Sequence, residues 1–292
     1  MKVAVFSKSD VQENRAFFEE LIDVLKANNA GIVFYKPLLE SLTSRGFDLS
    51  PAEWFDDHVS LKEKARLLLS VGGDGTLLDT LLYIRDSGIP VLGINLGRMG
   101  FLSSIPRHQI SEAIKRVVAG DYELDKRALL HLDTEENPFG ELPFAMNELS
   151  VYRTSPQSML RIKVSVNEEF LNYYWADGLI VATPTGSTAY SLSNGGPIIL
   201  PGSQNFVITP IASHNLTVRP IVIPDDSQIE IQVVGRVRDF YVNLDSRAVR
   251  VTSEVMLRVS REKFQMNLIR LKNDSYFRTI REKLMWGLDI RN

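Results

Sequence analysis

The 292-residue sequence contains no cysteine, which excludes disulfides, zinc–thiolate sites and catalysis by a thiol. It also lacks a surplus of basic residues, because 33 Lys and Arg stand against 36 Asp and Glu and give a net charge of −3. Proteins that bind duplex nucleic acid more often carry a basic surplus, so nucleic acid is not an expected partner. Apolar runs such as residues 179–182 are strand-sized, well short of the ~18 residues that cross a bilayer. We expect a cytoplasmic protein with no membrane partner.

Several motifs that mark common enzyme classes are also missing. No Gly-Lys-Ser or Gly-Lys-Thr occurs, so there is no Walker A loop, and no Gly-x-Ser-x-Gly occurs to support serine hydrolysis. The first apolar segment runs into Ser7-Lys8-Ser9-Asp10 without glycines, which excludes the usual dinucleotide-binding turn. The four histidines show no metal-ligand spacing and are expected to be structural; they are His58, His108, His131 and His214.

The first 122 residues contain alternating strand-like and helix-like segments. Asp10 is expected to cap a helix that Gly31 ends, and Ser111 is expected to cap another that Gly120 ends. Residues 36–64 are polar and broken, and they predict a short helix with loops. Strands are predicted at residues 2–6, 32–35, 67–71 and 90–94. This alternation predicts an open parallel sheet with helices on both faces.

After about residue 122 the sequence changes to short segments in which apolar and polar residues alternate. These segments are residues 161–167, 227–234, 240–244, 248–251 and 255–260. We predict an α/β domain at residues 1–122 and a β-sandwich-like, NAD-binding domain at residues 123–270. Residues 276–287 predict a helix, and the tail 271–292 is expected to pack on the first domain. The predicted fold class is α/β plus all-β.

The segment Gly72-Gly73-Asp74-Gly75-Thr76 lies between a predicted buried strand and a predicted helix. Gly72, Gly73 and Gly75 are candidate phosphate-loop residues, because glycines let backbone N–H groups approach phosphates and a helix N-terminus favours negative charge. A carboxylate in such a loop suits a group that binds a phosphate-bridging metal or takes a proton from an attacking hydroxyl. The alternative is a tight turn in which Asp74 or Thr76 caps the helix.

Two further segments carry candidate ligand-binding residues. Residues 177–193 end a strand and open a helix rich in small hydroxyl residues, with Tyr190 as the one aromatic ring near its start. This composition suits a base and a sugar, although a Ser- and Thr-capped helix packed through small residues is an equal alternative. Asn147 and Glu148 precede a strand, and an adjacent amide and carboxylate can bind a ribose diol. Alone, such a pair is more often a surface dipeptide.

With these segments in view, the chain resembles the NAD kinase family, of the bacterial type. The four segments that carry the resemblance are residues 72–75, Asn147-Glu148, residues 177–193 and Asp245-Ser246. Residues 93–101 and Arg219-Pro220 look like weaker family segments. The Gly-Gly-Asp-Gly motif is shared with phosphofructokinases and with diacylglycerol and sphingosine kinases, whereas residues 183–193 are more specific. The resemblance implies transfer of the γ-phosphate of ATP to the 2′-hydroxyl of the adenosine ribose of NAD, which makes NADP.

The resemblance also implies roles for individual residues. Asp74 would accept the proton of the 2′-hydroxyl, with Gly75 beside it holding the NAD and the triphosphate close. Asn147 and Glu148 would hold the ribose of NAD. Asp177 would contact the nucleotide near a subunit interface, either in its own chain or in a neighbouring chain. The remaining NAD-binding residues implied by the resemblance are Thr188, Ala189, Tyr190, Ser191, Leu192 and Ser193, with Tyr190 supplying a stacking face.

As partners the family implies NAD and ATP, with a divalent metal cation, Mg²⁺, and assembly as a homodimer or homotetramer. The sequence does not identify which residues would bind the metal. Two other functions are compatible with part of the pattern: a related kinase that acts on a lipid or a sugar phosphate, and a catalytically silent NAD-binding regulator. Residues 183–193 favour NAD as the acceptor over a lipid or a sugar phosphate. Asp74 together with Asn147-Glu148 favours a catalytic protein over a silent NAD-binding regulator.

Overall fold

The apolar residues follow a period of two in some segments and a period near 3.6 in others, and the chain forms strands and helices accordingly. The structure, a computed structural model, describes residues 1–97, 100–272 and 275–286. In that part of the chain the strands are β1 (Lys2–Ser7), β2 (Gly31–Tyr35), β3 (Glu53–Phe55), β4 (Leu67–Val71), β5 (Val91–Asn95), β6 (Ile105–Pro106), β7 (Glu123–Arg127), β8 (Leu130–Asp133), β9 (Phe144–Ala145), β10 (Glu148–Arg153), β11 (Leu160–Val166), β12 (Glu169–Ala176), β13 (Gly178–Ala182), β14 (Asn205–Ile211), β15 (Ile221–Pro224), β16 (Ile229–Val234), β17 (Asp239–Leu244), β18 (Arg247–Thr252), β19 (Leu257–Arg261) and β20 (Met266–Arg270). The α-helices are α1 (Arg15–Ala27), α2 (Lys36–Ser44), α3 (His58–Lys64), α4 (Asp74–Ile84), α5 (Ile110–Val118), α6 (Tyr190–Ser193) and α7 (Tyr276–Leu284).

The described chain folds as two units, each with its own apolar core. The first unit contains Met1–Lys126 and the described residues from Met266 onward, and the second unit contains Arg127–Gln265. Helices flank a largely parallel sheet in the first unit, and antiparallel sheets make up the second. The predicted fold class, α/β followed by all-β, is therefore confirmed.

The sheet of the first unit has the strand order β3-β2-β1-β4-β5-β20-β7, with β6 also paired to β5. The pairs from β3 across to β20, and the β5–β6 pair, are parallel. The chain moves outward from β1 to β3 and then returns to place β4 on the other side of β1. The strand order therefore reverses between β1 and β4, where Ser7 is the ladder partner of Val71. Ligands of open α/β sheets bind at such a reversal, at the carboxyl ends of the strands.

The helices of the first unit cover the sheet with the apolar stripes that the sequence predicts. In α1 the buried residues are Phe17, Phe18, Leu21, Ile22 and Leu25. Each such side chain contributes about 1.5–3 kcal/mol when it is fully buried. A helix here is stabilised mainly by this tertiary burial, because short helices are marginal on their own.

The two ends of α1 differ from the prediction. Asp10 accepts the N–H of Glu13 at 3.0 Å, but both residues lie in the turn that precedes α1, so Asp10 does not cap the helix. Gly31 is the first residue of β2 rather than the end of α1. The left-handed residue after α1 is Asn29, with φ 54°. Asn visits this conformation more readily than most residues, because its short polar side chain can hydrogen-bond locally.

The start of α5 and the segment 36–64 also differ from the prediction. Ser111 lies inside the first turn of α5, and the N-cap is Gln109, whose side chain makes no capping hydrogen bond. Gly120 follows α5 with φ 76°, as a C-terminal glycine should. Residues 36–64 contain two helices and a strand where a single helix was predicted, and α3 begins with a capping box between Asp57 and Ser60.

The second unit consists of two antiparallel sheets. Their strand orders are β15-β14-β13-β10-β17-β18 and β12-β11-β16-β19-β8-β9. Along β16, Ile229, Ile231 and Val233 are buried and the residues between them are partly exposed. Phe240 and Val242 of the other sheet belong to the same apolar cluster, so both sheets contribute to one core. The prediction of a β-sandwich-like part is confirmed.

A helix, α7, lies where residues 276–287 predict one, and Ile280 is its buried residue. Residue 287 of that prediction lies outside the described residues, as do residues 273–274 and 287–292 of the predicted tail and residues 98–99 of the glycine-rich segment 93–101. In the described ranges, no helix is both long and apolar enough to cross a membrane.

Candidate active site

The glycine-rich segment after β4 turns directly into α4. Gly73 is the N-cap of α4, and no side chain caps the helix, so the alternative in which Asp74 or Thr76 does so is wrong. Gly72 has φ 153°, and a Cβ there would overlap the side chain of Thr76, so the fold itself requires this glycine. A Cβ on Gly73 or Gly75 would meet no atom within 4 Å. Open space therefore lies beside both of these glycines.

The carboxylate of Asp74 accepts three consecutive backbone hydrogen bonds. Phe101 donates its N–H to Oδ2 at 2.8 Å, and Leu102 and Ser103 each donate to Oδ1 at 3.0 Å. Gly100 lies so close that a Cβ on it would overlap this carboxylate. Oδ2 receives one of the three N–H groups and so retains acceptor capacity for a donor on a ligand. The turn at residues 100–103 thus fixes the position of Asp74.

In the second unit, Asp245 makes the same arrangement with the segment that carries Asn147 and Glu148. Its carboxylate accepts the N–H groups of Met146 at 2.9 Å, Asn147 at 2.8 Å and Glu148 at 3.1 Å. Asp245 has φ 52° and begins the two-residue loop between β17 and β18. Asp is among the residues that tolerate the left-handed conformation such loops need. The hairpin tip therefore fixes the backbone before β10.

Glu148 is a carboxyl group with little water around it and a like charge nearby. Burial, with a smaller contribution from the Asp245 charge, raises the pKa of Glu148 to about 8. Its Oε2 atom is buried and has no hydrogen-bond partner among the described residues. Burial also raises the pKa of Asp245, against the three N–H groups that lower it. A ligand that brings a hydroxyl or a cation would satisfy the unpartnered oxygen of Glu148.

The start of the segment 183–193 is bound directly to the Asn147 backbone. Thr183 donates its N–H to the Asn147 carbonyl at 2.9 Å and its hydroxyl to the Met146 carbonyl at 2.6 Å. A Cβ on Gly186 would overlap the carbonyl group of Asn147, so this glycine permits the close approach. The structure thereby brings together two segments that the sequence marked separately.

Residues 188–193 differ in what they offer to a ligand. Ser191 is fully buried, and its hydroxyl lies 2.9 Å from that of Thr209, so its polar group is used inside the fold. Tyr190 is 42% exposed, which leaves a ring face free. The other residues of the group that reach the surface are Thr188, Ala189, Leu192 and Ser193.

Asp177 lies at the opposite end of β13 from the start of the segment 183–193. It precedes β13, whereas the segment 183–193 follows the same strand and turns back along it, because Ser191 bonds to Thr209, the ladder partner of Ile180 in β13. The carboxylate of Asp177 forms an ion pair with Arg153 at 2.8 Å. The carboxylate of Asp177 is thus held by Arg153, and its predicted contact with the nucleotide stays a prediction.

The sequence analysis gave no role in the site to Gly100, to the N–H groups of residues 101–103 or to Thr209. It included Asp245 only as part of a family segment. The glycine-rich stretch 93–101 was the single available signal for the first two. Within the described part of the chain, no three His, Asp or Glu side chains group closely enough to hold a metal ion.

The first unit has an open glycine turn at the strand-order reversal of its parallel sheet. The second unit has a buried, unpartnered carboxyl beside small hydroxyl residues. Together these features define a two-domain nucleotide-binding phosphotransferase. Comparison with known families makes this specific. The chain belongs to the ATP-NAD kinase family: the N-terminal domain of that family matches residues 3–122, and its C-terminal domain matches residues 146–271.

Individual relatives agree with this assignment. A Cytophaga hutchinsonii protein named NAD kinase is 48% identical over 229 residues, which are 78% of each chain. A NAD kinase from Flavobacterium psychrophilum is 41% identical over 294 residues, which cover 100% of both chains. The crystal structure of yeast NADH kinase complexed with NADH shares the fold, with a TM-score of 0.86 at 22% identity over 100% of this chain and 89% of that one. An Archaeoglobus fulgidus NAD kinase in complex with ATP gives 0.74 at 25% identity, over 98% and 99%.

Proposed function

We propose that this chain transfers the γ-phosphate of ATP to the 2′-hydroxyl of the adenosine ribose of NAD, yielding NADP and ADP. The observation that carries the proposal is the carboxylate of Asp74, held by three N–H groups at the carboxyl end of β4, beside the open space at Gly73 and Gly75. Membership of the ATP-NAD kinase family supports the choice of substrates.

Asp74 takes the proton of the 2′-hydroxyl as that oxygen attacks the γ-phosphorus. A neutral alcohol is a weak nucleophile, and a positioned base contributes roughly 10²–10⁴-fold to such a step. The three N–H donors hold the carboxylate in one orientation, so the acceptor capacity left on Oδ2 points one way. In-line phosphoryl transfer depends on this alignment, because most of its catalysis is positioning and charge stabilisation.

NAD is held by residues of the second unit. The amide of Asn147 and the carboxyl of Glu148 bind the ribose hydroxyls, and a hydroxyl donated to Oε2 satisfies the one buried oxygen that lacks a partner. The exposed ring of Tyr190 packs on the adenine, with contacts from neighbouring residues. Those neighbours are Thr188, Ala189, Leu192 and Ser193, while Ser191 supports the segment from inside through Thr209.

Mg²⁺ enters as part of the ATP substrate. Asp74 and Asp245 each accept three backbone N–H groups, so neither carboxylate would surround a cation by itself, and the phosphates of ATP would supply most of the oxygen ligands. The cation would neutralise phosphate charge, which matters in a chain with no Walker lysine. The protein's own share is to place the nucleotide and to accept the proton.

We also propose a homodimer or homotetramer in the cytoplasm, in which Asp177 contacts the nucleotide of a neighbouring chain. Membership of the ATP-NAD kinase family supports this contact in trans. Sedimentation of the purified protein, with and without NAD, measures the assembly. A strictly monomeric enzyme that keeps full activity would remove this role of Asp177.

The activity is tested by incubating the purified chain with NAD, ATP and Mg²⁺ and reading NADP with an NADP-specific dehydrogenase. Parallel reactions replace NAD by diacylglycerol or fructose 6-phosphate. NADP formation with no turnover of the other two acceptors supports the proposal. ATP consumption with either of them instead identifies a related kinase, and tight NAD binding without ATP consumption identifies a silent regulator.

The role of Asp74 is tested with Asp74→Asn rather than Asp74→Ala, because alanine would leave three N–H groups without an acceptor. Asparagine keeps an oxygen for Leu102 and Ser103 but cannot accept a proton at neutral pH. We expect kcat to fall by roughly 10²-fold or more while NAD affinity changes little. Near wild-type kcat in a folded Asp74→Asn protein would contradict the assigned role.

A further inference from the structure

The residues that follow β1 lie at the same sheet edge as the glycine turn. Ser7 and Val71 are partners in the parallel β1–β4 ladder, so the next residue on each strand, Lys8 and Gly72, lie side by side at the carboxyl edge. This is the point where the strand order reverses, between β1 and β4. Loops that flank such a reversal form the ligand crevice of an open α/β sheet.

Lys8 brings a mobile positive charge to this edge. Its Nζ atom lies 2.7 Å from Oδ2 of Asp79, and its side chain is 52% exposed. Asp79 is on α4, five residues beyond Asp74, or about 7.5 Å along the helix axis. The N–H of Ser9 bonds to the hydroxyl of Ser7 at 3.1 Å, which fixes the turn from which Lys8 extends. The ammonium group is therefore within one side-chain movement of the start of α4.

The Lys8–Asp79 ion pair is of a kind that exchanges easily. Ion pairs between exposed side chains add little to stability, because water screens them and holding two flexible side chains costs entropy. A phosphate group carries more charge than one carboxylate and accepts charge-assisted hydrogen bonds from lysine. Gly73 and Gly75 leave open space at the adjacent turn, and the chain has no Walker lysine to supply the charge.

We infer that Lys8 binds the phosphate groups of the nucleotide, moving from Asp79 to the ligand when the ligand enters the space beside Gly73 and Gly75. This inference rests on the proposed function and adds a cation that the glycine turn does not provide. Two nucleotides could present the phosphates: ATP through its triphosphate and NAD through its diphosphate. Separate KM values for the two substrates distinguish these sources.

The test compares Lys8→Met, Lys8→Arg, Asp79→Asn and the control Lys2→Met. Lys2 is matched to Lys8 because it lies on the same strand at the opposite end, forms an ion pair with Glu53 and is 49% exposed. We expect Lys8→Met to raise the KM of one nucleotide by about 10- to 100-fold. Lys8→Arg should recover most of that loss, and Lys2→Met should leave both KM values unchanged.

Asp79→Asn separates ligand binding from a merely structural ion pair. If Lys8 leaves Asp79 for the phosphates, Asp79→Asn frees the lysine and does not raise the affected KM. An equal rise in Asp79→Asn and Lys8→Met, or unchanged KM values in folded Lys8→Met, overturns the inference.

Binding constants keep this test independent of the proposed reaction. Titration of ATP and of NAD, each without the other substrate, measures the contribution of Lys8 in the absence of turnover. A wild-type protein that makes no NADP refutes the proposed function, while an unchanged Kd for both nucleotides in Lys8→Met refutes the role of Lys8 alone.

Discussion

At the scale of single residues, two aspartates do the same structural work in different units. Asp74 and Asp245 each accept three consecutive backbone N–H groups from a segment remote in the sequence. A carboxylate suits this task because both of its oxygens only accept hydrogen bonds, whereas an amide would turn a donor towards one of the N–H groups. Asp74 is thereby held in place by residues 101–103, and Asp245 holds the backbone that carries Asn147 and Glu148.

Two glycines of the turn serve different purposes: Gly72 is required by the fold, and Gly73 leaves space for a ligand. Gly73→Ala meets open space and an ordinary φ of −93°, and at the N-cap of α4 alanine is only somewhat poorer than glycine, so we expect a small drop in melting temperature. The KM for ATP or NAD should rise about tenfold or more, since the added methyl occupies ligand space. Gly72→Ala, with φ 153° and an overlap with Thr76, should lower the melting temperature more. Thermal melts and steady-state kinetics on both variants check this. A drop in the melting temperature of Gly73→Ala as large as that of Gly72→Ala, or unchanged kinetics in Gly73→Ala, would contradict it.

Glu148 makes stability depend on pH. Its folded-state pKa of about 8 is above the 4.5 of a free glutamate, so the folded protein binds the proton more tightly than the unfolded chain. The resulting stabilisation is complete below pH 4.5 and is lost as pH rises through 8. We expect the free energy of unfolding of Glu148→Gln, relative to wild type, to rise by about 2–4 kcal/mol from pH 5 to pH 9. Urea denaturation across that range measures it.

The matched control for that series is Glu136→Gln, because Glu136 is exposed in the same unit. The pH series of Glu148→Gln is compared with that of this variant. A difference between Glu148→Gln and wild type that does not change from pH 5 to pH 9 would show that Glu148 is ionised without cost in the folded protein.

At the scale of elements, the β17–β18 hairpin organises the start of β10. The Asp245 carboxylate accepts the N–H groups of residues 146–148, and Arg247, two residues on, donates its guanidinium to the carbonyls of Leu142 and Phe144. The hairpin therefore provides hydrogen-bond partners for both N–H groups and carbonyls of residues 142–148, a stretch that is only partly paired with other strands. Segment 183–193 is in turn bound to this stretch through Thr183. The candidate NAD-binding elements depend on one another through backbone contacts.

Removing the hairpin's carboxylate tests this dependence. Asp245→Ala leaves three N–H groups without their acceptor, so we expect the free energy of unfolding to fall by about 2–4 kcal/mol and the KM for NAD to rise. Asp239→Ala is the control, because Asp239 lies at the other end of β17 in an ion pair with the 61% exposed Arg250. That variant should lose far less stability than Asp245→Ala, because water screens an exposed ion pair. Equal losses in the two variants would contradict the role given to Asp245.

At the scale of the whole molecule, the chain leaves the first unit after residue 126 and returns to it at Met266. The returning strand, β20, lies between β5 and β7 in the sheet, and Leu268 is the ladder partner of Val91. An internal strand of this kind cannot be lost without exposing the main-chain groups of its neighbours. The first unit therefore depends on residues that follow the second unit in sequence.

Truncation measures this dependence. A chain that ends at Gln265 lacks β20, and we expect the amides of β4 and β5 to lose most of their protection from hydrogen exchange, while β10 and β13 in the second unit keep theirs. A chain that ends at Leu271 retains β20 and should keep much of the protection in β4 and β5. Hydrogen exchange followed by mass spectrometry compares the two. Full protection in the shorter chain would show that β20 is dispensable.

The sequence by itself determined the elements whose information is local. The burial of Leu67–Val71, the glycine turn after it and the apolar stripe of α1 follow from periodicity and from glycine's backbone freedom, and each is found where it was predicted. Helix ends were less accurate, as at Asn29 and Ser111, because several residues nearby could make the same terminal hydrogen bonds.

Only the tertiary structure decided which of the marked residues belong together. Asp74 is 27 to 29 residues from its donors, and Asp245 is 97 to 99 residues from its own. No local pattern encodes such pairs, because they depend on the order of strands in a sheet and on the register of each ladder. In the same way Ser191 meets Thr209, 18 residues away, because the chain after β13 turns back along that strand and Thr209 is the ladder partner of Ile180 within it.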